Sequence, residues 1–300
     1  MTTETRERID ISPYEGHVKP TWCPGCGDFG VLNALKGALA ELGIPPHEVL
    51  VVTGIGCGSK LPDYMLAYGL LTLHGRPLPF ATGAKLANPD LHVIVVDGDG
   101  DAYGIGGNHL IHTARRNPNI THIVENNQVY GLTKGQYSPT SEHGYISMTS
   151  PRGSIEQAFS PTALTFSSGA GFIARGFAGA PKNLANTIAR GIEFPGYAHI
   201  DVLQPCTTFN KINTYDWYRE RGYEHEQDAG VSDRTAAWER VQEWGDRIPL
   251  GVLYEQDPPG PTYEQQMAAL QQAEVHPVQG MAEHSPQDPR YDQLKRQLFS

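Results

Sequence analysis

The chain has only four cysteines, no excess of basic residues and no long apolar run, and each shortage excludes something. Lys and Arg number 23 against 33 Asp and Glu, a formal net charge of −10, so the broad basic face that nucleic acid or an anionic membrane surface requires is missing. The longest apolar stretch, Tyr64 to Leu73, is too short to span a bilayer and is interrupted by Gly69. The opening segment MTTETRERIDISPYEG is polar and lacks the apolar centre of a signal peptide. These features indicate a cytoplasmic protein that binds neither nucleic acid nor membrane. Thiols are normally reduced in that compartment, so the cysteines point to metal rather than to disulfides. A hydrophobic content of 39% and a length of 300 residues suit one large α/β core with appendages.

What is present is a regular alternation. Apolar runs at 49–54, 91–100, 120–127 and 199–206 read as strands buried on both faces. Between them, residues 29–42 carry Leu32, Leu35, Leu39 and Leu42 at helical spacing, and Gly43, Pro45 and Pro46 end the segment. Residues 106–116 and 184–194 read as further helices. Strands alternating with helices predict a doubly wound α/β fold, its mostly parallel sheet covered on both faces. Ligands of such sheets bind at the carboxyl ends of the strands, where every motif below lies. The expected organisation is an N-terminal extension (1–20), the α/β domain (21–250) and a C-terminal tail (251–300) packing on a partner. The polar segment 132–157 is a long loop of the kind that carries function.

The cysteines lie in Gly- and Pro-rich segments: Cys23 and Cys26 in TWCPGCGDFG, Cys57 in TGIGCGSK and Cys206 in VLQPCTTF. Four with none to spare is the complement of one tetrathiolate site, and by themselves they suit zinc and an iron–sulfur cluster equally. Structural zinc usually takes two local pairs of ligands, and only one pair is local here.

A second signature starts where a strand ends in Gly98-Asp99-Gly100 and continues with Asn126-Asn127 at the end of the next. Glycine lets backbone amides approach a phosphate, and the following helix directs its N-terminal dipole at the anion. An aspartate, an asparagine amide and a backbone carbonyl are hard oxygen ligands that, with two phosphate oxygens and water, complete octahedral magnesium. An isolated GDG is more often a strand-to-helix turn, but the pair together reads as a diphosphate site.

The pair resembles the motif of thiamine diphosphate enzymes, which implies Mg²⁺ ligation by Asp99, the Asn127 side chain and the Val129 carbonyl. The wider string GDGDAYGIGGNHLIHTARRNPNITHIVENNQVYGLTKGQYSPT resembles the β subunit of 2-oxoacid:ferredoxin oxidoreductases, over about Trp22 to Asn210. That resemblance implies a thiamine diphosphate contacted by Gly56, Cys57, Thr82, Gly83, Gly98, Asp99, Gly100, Asp101, Asn127, Val129, Gly131, Leu132 and Thr133. It implies one 4Fe-4S cluster on Cys23, Cys26, Cys57 and Cys206, and a role for Lys60 in binding the substrate carboxylate, although a loop lysine is as often simply solvated. His74 and Arg76 are possible polar contacts, while His109 and His112 read as packing or surface residues.

The implied reaction is decarboxylation of a 2-oxoacid (2-oxoglutarate first, pyruvate second), two one-electron transfers through the cluster to ferredoxin, and acyl transfer to coenzyme A. The glutamate that such enzymes place against the aminopyrimidine is not visible here, so an α subunit is expected to complete the site in an αβ or (αβ)2 assembly. Two alternatives stand at this level. One is a non-redox thiamine enzyme with structural zinc; the other is an iron–sulfur electron carrier whose GDG is only a turn.

Overall fold

Runs rich in valine and isoleucine make strands that must be covered on both faces. In the computed structural model, which describes residues 9–225 and 231–267, these strands are β1 (Val49–Thr53), β2 (Tyr68–Leu71), β3 (His92–Gly98), β4 (Ile120–Asn126), β5 (Phe172–Phe177), β6 (Tyr197–Leu203), β7 (Gly222–Glu224) and β8 (Ile248–Glu255). They form one sheet in the order β2-β1-β3-β4-β6-β5-β8-β7. From β2 to β5 every pairing is parallel; β8 runs antiparallel to β5, and β7 is parallel to β8. The helices are α1 (Asp28–Glu41), α2 (Pro77–Ala87), α3 (Gly107–Arg116), α4 (Pro161–Ser167), α5 (Pro181–Glu193), α6 (Tyr215–Arg221), α7 (Arg234–Gln242) and α8 (Tyr263–Gln266).

The period of two along a strand divides the core into two layers. Ile94 and Val96 of β3 pack with Leu35 and Leu39 of α1 and Ile188 of α5. Val93 and Val95 turn to the other face, against Leu78 of α2, Leu110 of α3 and Phe166 of α4. The doubly wound, mostly parallel sheet expected from the sequence is therefore present.

The structure adds strands that the apolar runs do not reveal. β5 is FIARGF, whose Arg175 and Gly176 break the apolar pattern, yet Arg175 is 2% exposed because Asp201 and Thr162 receive its guanidinium. β8 carries Pro249 and Gly251, and it extends to Glu255, past the expected domain boundary at residue 250. The 1–20 extension is likewise not separate over its described part: Tyr14 is buried in the α1 layer and donates its hydroxyl to the Ile44 carbonyl. Residues 268–300, most of the expected tail, lie outside the described residues.

Several phenols are buried in this core, which sets an alkaline limit on stability. Burial pushes Tyr14 up to about 12, the Glu48 charge adding to it, and holds Tyr103 and Tyr197 far above the ordinary value. The unfolded chain therefore releases these protons first as pH rises, so the folded state loses stability from about pH 10 upward. Stability is unaffected by these groups below that pH. Urea midpoints between pH 9 and 11.5, read beside tyrosinate absorbance, should fall together; a midpoint flat to pH 11.5 would show that these phenols ionise without unfolding.

Candidate functional site

Parallel strands deliver their C-terminal ends to one edge, and the loops after β1, β3, β4 and β6 meet there. A cavity of about 210 Å³ opens between them. Its wall contains Gly56 and Cys57 after β1, Gly98 to Asp101 after β3, and Asn127, Val129, Gly131, Leu132 and Thr133 after β4. The structure thus brings together most of the residues that the sequence reading assigns to a diphosphate. It does not bring Thr82 and Gly83 there. Both sit on α2, where the Thr82 hydroxyl donates to the Leu78 carbonyl one turn back and Gly83 is exposed.

The turn after β3 is shaped for close approach. A Cβ on Gly98 would meet nothing within 4 Å, whereas one on Gly100 would lie 2.0 Å from the Tyr130 ring. Residues Gly100–Ile105 form a π-helical turn before α3, a local widening often found at functional sites. Asp99 is 2% exposed, and burial raises its carboxyl to about 6 against the lowering effect of hydroxyls from Ser138 and Thr140. Asp101 is raised to about 8, first by burial and then by the Asp97 charge, although the amides of Gly75 and Ile55 donate to it. His74, also in the cavity wall, pairs with Asp101 through Nδ1. Arg76 turns back to the Gly75 carbonyl, and His109 and His112 are half-buried on α3.

A second cavity, of about 230 Å³, adjoins the first: Cys57, Asn127, Gly131 and Leu132 line both. All four cysteines line this second cavity, together with Lys60. Local hydrogen bonds lock the cysteine segments together. The Cys26 amide closes the CPGC turn on the Cys23 carbonyl, Gly27 N donates to Pro205 O, and Thr207 Oγ1 donates to Pro24 O. Trp22 Nε1 donates to the Cys57 carbonyl at 2.8 Å. A Cβ on Gly131 would lie 3.5 Å from Cys57 Sγ and 3.9 Å from Cys206 Sγ, so the turn after β4 passes directly over two of the sulfurs.

Chemically the two cavities call for cations. Burial, then the charges of Asp28 and Glu125, pushes the Cys57 thiol up to about 12 and the Cys26 thiol higher still. Thiolate in this setting would need a cation to offset its charge, and the Asp99 carboxylate is offset here by the hydroxyls of Ser138 and Thr140. In kind, four soft thiolates suit an iron–sulfur cluster and the oxygen set suits Mg²⁺. Among the described residues, no three His, Cys, Asp or Glu side chains are grouped as they would be around a metal ion. Lys60 is exposed, with Nζ 3.5 Å from Thr21 Oγ1, so it faces the mouth of the cysteine cavity rather than the diphosphate wall.

Three side chains of the site escape sequence reasoning. Glu125, 1% exposed, lies in the wall of the first cavity with Oε1 unpartnered, and burial followed by the Asp28 and Asp97 charges holds it well above the carboxylate range. Its signal is a charged residue within the apolar run ITHIVENN. Gln204 donates from Nε2 to both Cys26 Sγ and Asp28 Oδ1, a contact across the whole chain that no local pattern announces. Asp28, the first residue of α1, is raised to about 7 by its burial.

Residues 52–202 match the model of the thiamine pyrophosphate enzyme C-terminal binding domain, and residues 206–272 match that of the C-terminal part of the pyruvate ferredoxin oxidoreductase beta subunit. A 2-oxoacid:ferredoxin oxidoreductase subunit beta from Sulfolobus is 47% identical over 83% of this chain and 85% of that one. The chain belongs to this family of β subunits. The 2-oxoglutarate oxidoreductase subunit KorB of Mycobacterium tuberculosis is 44% identical over 68% of this chain and 54% of its own. Among solved structures, a 2-oxoglutarate:ferredoxin oxidoreductase from Magnetococcus marinus, with 2-oxoglutarate, coenzyme A and succinyl-CoA bound, superposes with a TM-score of 0.85 at 39% identity over 97% of both chains. The family's β subunits are parts of oxidoreductases with further subunits, and the thiamine diphosphate expected from GDG and NN agrees with the matched domain. Among the described residues, no helix is long and apolar enough to cross a membrane.

Proposed function

We propose that this β subunit serves an enzyme that oxidises 2-oxoglutarate to succinyl-CoA and CO2, passing electrons through a 4Fe-4S cluster to ferredoxin. The observation that carries this reading is the contiguity of the two cavities: one lined by diphosphate-type groups, the other by all four cysteines, with Cys57 and Gly131 common to both. The likeness to a solved enzyme holding 2-oxoglutarate and succinyl-CoA supports that 2-oxoacid over pyruvate.

When bound, thiamine diphosphate supplies an electron sink for decarboxylation and the cluster a one-electron outlet. The chain's own residues do the rest. Asp99, the Asn127 amide oxygen and the Val129 carbonyl would hold Mg²⁺, which would supply the positive charge that a diphosphate needs. Backbone amides at Gly98 to Gly100, where the π-helical turn Gly100–Ile105 begins, would accept negative charge. His74 Nδ1 lies beside the Asp101 carboxylate at the wall of the cavity, where it can exchange a proton with a bound group. Cys23, Cys26, Cys57 and Cys206 would hold the cluster, and Gln204 donates toward the Cys26 sulfur, which lowers the charge density there. Lys60 offers a cation to a substrate carboxylate approaching across the sulfur cavity. An α subunit would supply the contact to the aminopyrimidine.

The test is turnover of the complete complex with coenzyme A and a viologen dye. Reduction with 2-oxoglutarate is expected to exceed that with pyruvate or a branched-chain 2-oxoacid by at least about tenfold in kcat/KM. A preference for pyruvate would reassign the substrate, and no reduction with any of them would reject the activity.

A further inference from the structure

The polar segment 132–157 follows the cation-binding motif in sequence, and its placement suggests substrate contact. Its first turn does something else. Residues Ser138, Thr140 and Ser141 are each at most 4% exposed and point inward. Ser141 N donates to Ser138 O at 3.1 Å while Ser138 N donates to Ser141 Oγ at 2.8 Å, so the turn is closed by its own hydrogen bonds. From this closed turn three hydroxyls reach both halves of the diphosphate site. Ser138 Oγ and Thr140 Oγ1 each donate to the same carboxylate oxygen, Asp99 Oδ2, at 2.5 Å. Ser141 Oγ donates to the Gln128 carbonyl at 2.6 Å, between Asn127 and Val129.

We propose that the turn Ser138–Ser141 is a positioning device for the cation, with Thr140 its central residue. Two hydroxyls on Oδ2 fix the rotation of the Asp99 carboxylate, to which the Gly100 amide also donates, and so set how the carboxylate is presented to the cation. The third hydroxyl ties the Asn127–Val129 segment to the same turn, so the distance between the two ligand-bearing strand ends is set by one short loop. The single Thr140 hydroxyl proton is shared between Asp99 Oδ2 and Asn126 Oδ1, 2.9 Å away, and Asn126 Nδ2 donates to Asp201 Oδ1 at 3.0 Å. Asp201 in turn accepts from Tyr103 and pairs with buried Arg175. The turn is therefore braced against the sheet and cannot shift without breaking a buried polar chain. Groups that orient a metal ligand typically change metal affinity by tenfold to a hundredfold, because a carboxylate free to rotate must be ordered when the cation binds.

The inference rests on the reading of Asp99 as a cation ligand, and the experiment separates the two. The complex with its partner subunit is stripped of divalent cation, and Mn²⁺ binding is titrated by the loss of free Mn²⁺ spectroscopic signal, with and without thiamine diphosphate. The unmodified complex should take up Mn²⁺ in a thiamine diphosphate-dependent manner; failure of that uptake rejects Asp99 as a ligand and the positioning role with it. Given uptake, Thr140→Val is expected to weaken it by at least about tenfold. Thr140→Ser, which restores the hydroxyl, should return affinity to within about threefold. The cofactor-free melting temperature of Thr140→Ser should match the unmodified complex, so that folding is not what is measured. If Thr140→Val and Ser138→Ala both bind Mn²⁺ within twofold of the unmodified complex, the positioning role is wrong while the ligand role of Asp99 stands. A raised KM for the 2-oxoacid with unchanged Mn²⁺ affinity would likewise overturn it and return the turn to substrate contact.

Discussion

Replacing Asp99 with alanine is expected to release thiamine diphosphate from the purified complex while leaving its iron in place. The carboxylate lies at the end of β3, 2% exposed, in the wall of the first cavity, and it carries the only negative charge that the Ser138 and Thr140 hydroxyls address. Its loss removes a hard anionic ligand that water cannot replace at the same geometry, and it takes away the charged acceptor that two buried hydroxyls share. Cofactor affinity should fall by on the order of a hundredfold to a thousandfold, equivalent to roughly 3–4 kcal/mol. Asp99→Asn is the companion variant: it keeps an acceptor for the hydroxyls and the shape of the turn, so it should lose cofactor equally with a smaller change in melting temperature. Thiamine assay and iron analysis of the same preparation read the outcome. Stoichiometric thiamine diphosphate in both variants would sink the assignment of Asp99.

Cys206→Ser should produce the opposite pattern. Cys206 is 9% exposed, just beyond β6, and serine offers a harder, less acidic oxygen to a site built for thiolate. Iron and acid-labile sulfide are expected to fall from about four each per chain to below about one, with thiamine diphosphate retained. Reduction of viologen by 2-oxoglutarate should drop by at least roughly a hundredfold. The side-chain link from this segment to the first site, Asn210 Nδ2 donating to the Asn127 carbonyl at 3.0 Å, does not involve the sulfur and should survive. Parallel loss of cofactor and iron in this variant and in Asp99→Ala would mean one inseparable site. Zinc in place of iron, with no sulfide, would overturn the redox reading.

Much of this site was legible in the chain because its motifs are local. Gly98-Asp99-Gly100 and Asn126-Asn127 each need only a strand end and a tight turn, and CPGC needs only four residues to bring two thiols together. Such requirements are met by short-range backbone geometry, so residue type and spacing are enough to announce them. The assignment of Thr82 and Gly83 rests on resemblance alone; both lie on α2, and neither is among the residues that line the cavity. Glu125 illustrates the intermediate case. Its charge stands out in an apolar strand, but only the packed structure gives it a place beside Gly58, whose Cβ would collide with Oε2 at 1.7 Å.

By itself the sequence determined the doubly wound α/β class, the two ligand motifs and the complement of four cysteines. Tertiary structure alone decided how those parts face one another. Gln204 meets Cys26 and Asp28 across nearly the whole domain, Gly131 carries the turn after β4 over the sulfurs of Cys57 and Cys206, and Ser138 and Thr140 close on Asp99 from a loop some forty residues away. The physical reason is that a hydrogen bond or a sulfur contact is fixed by distances of a few ångströms. Between segments far apart in sequence, such distances exist only after parallel strands have locked in register and placed their carboxyl ends along one edge.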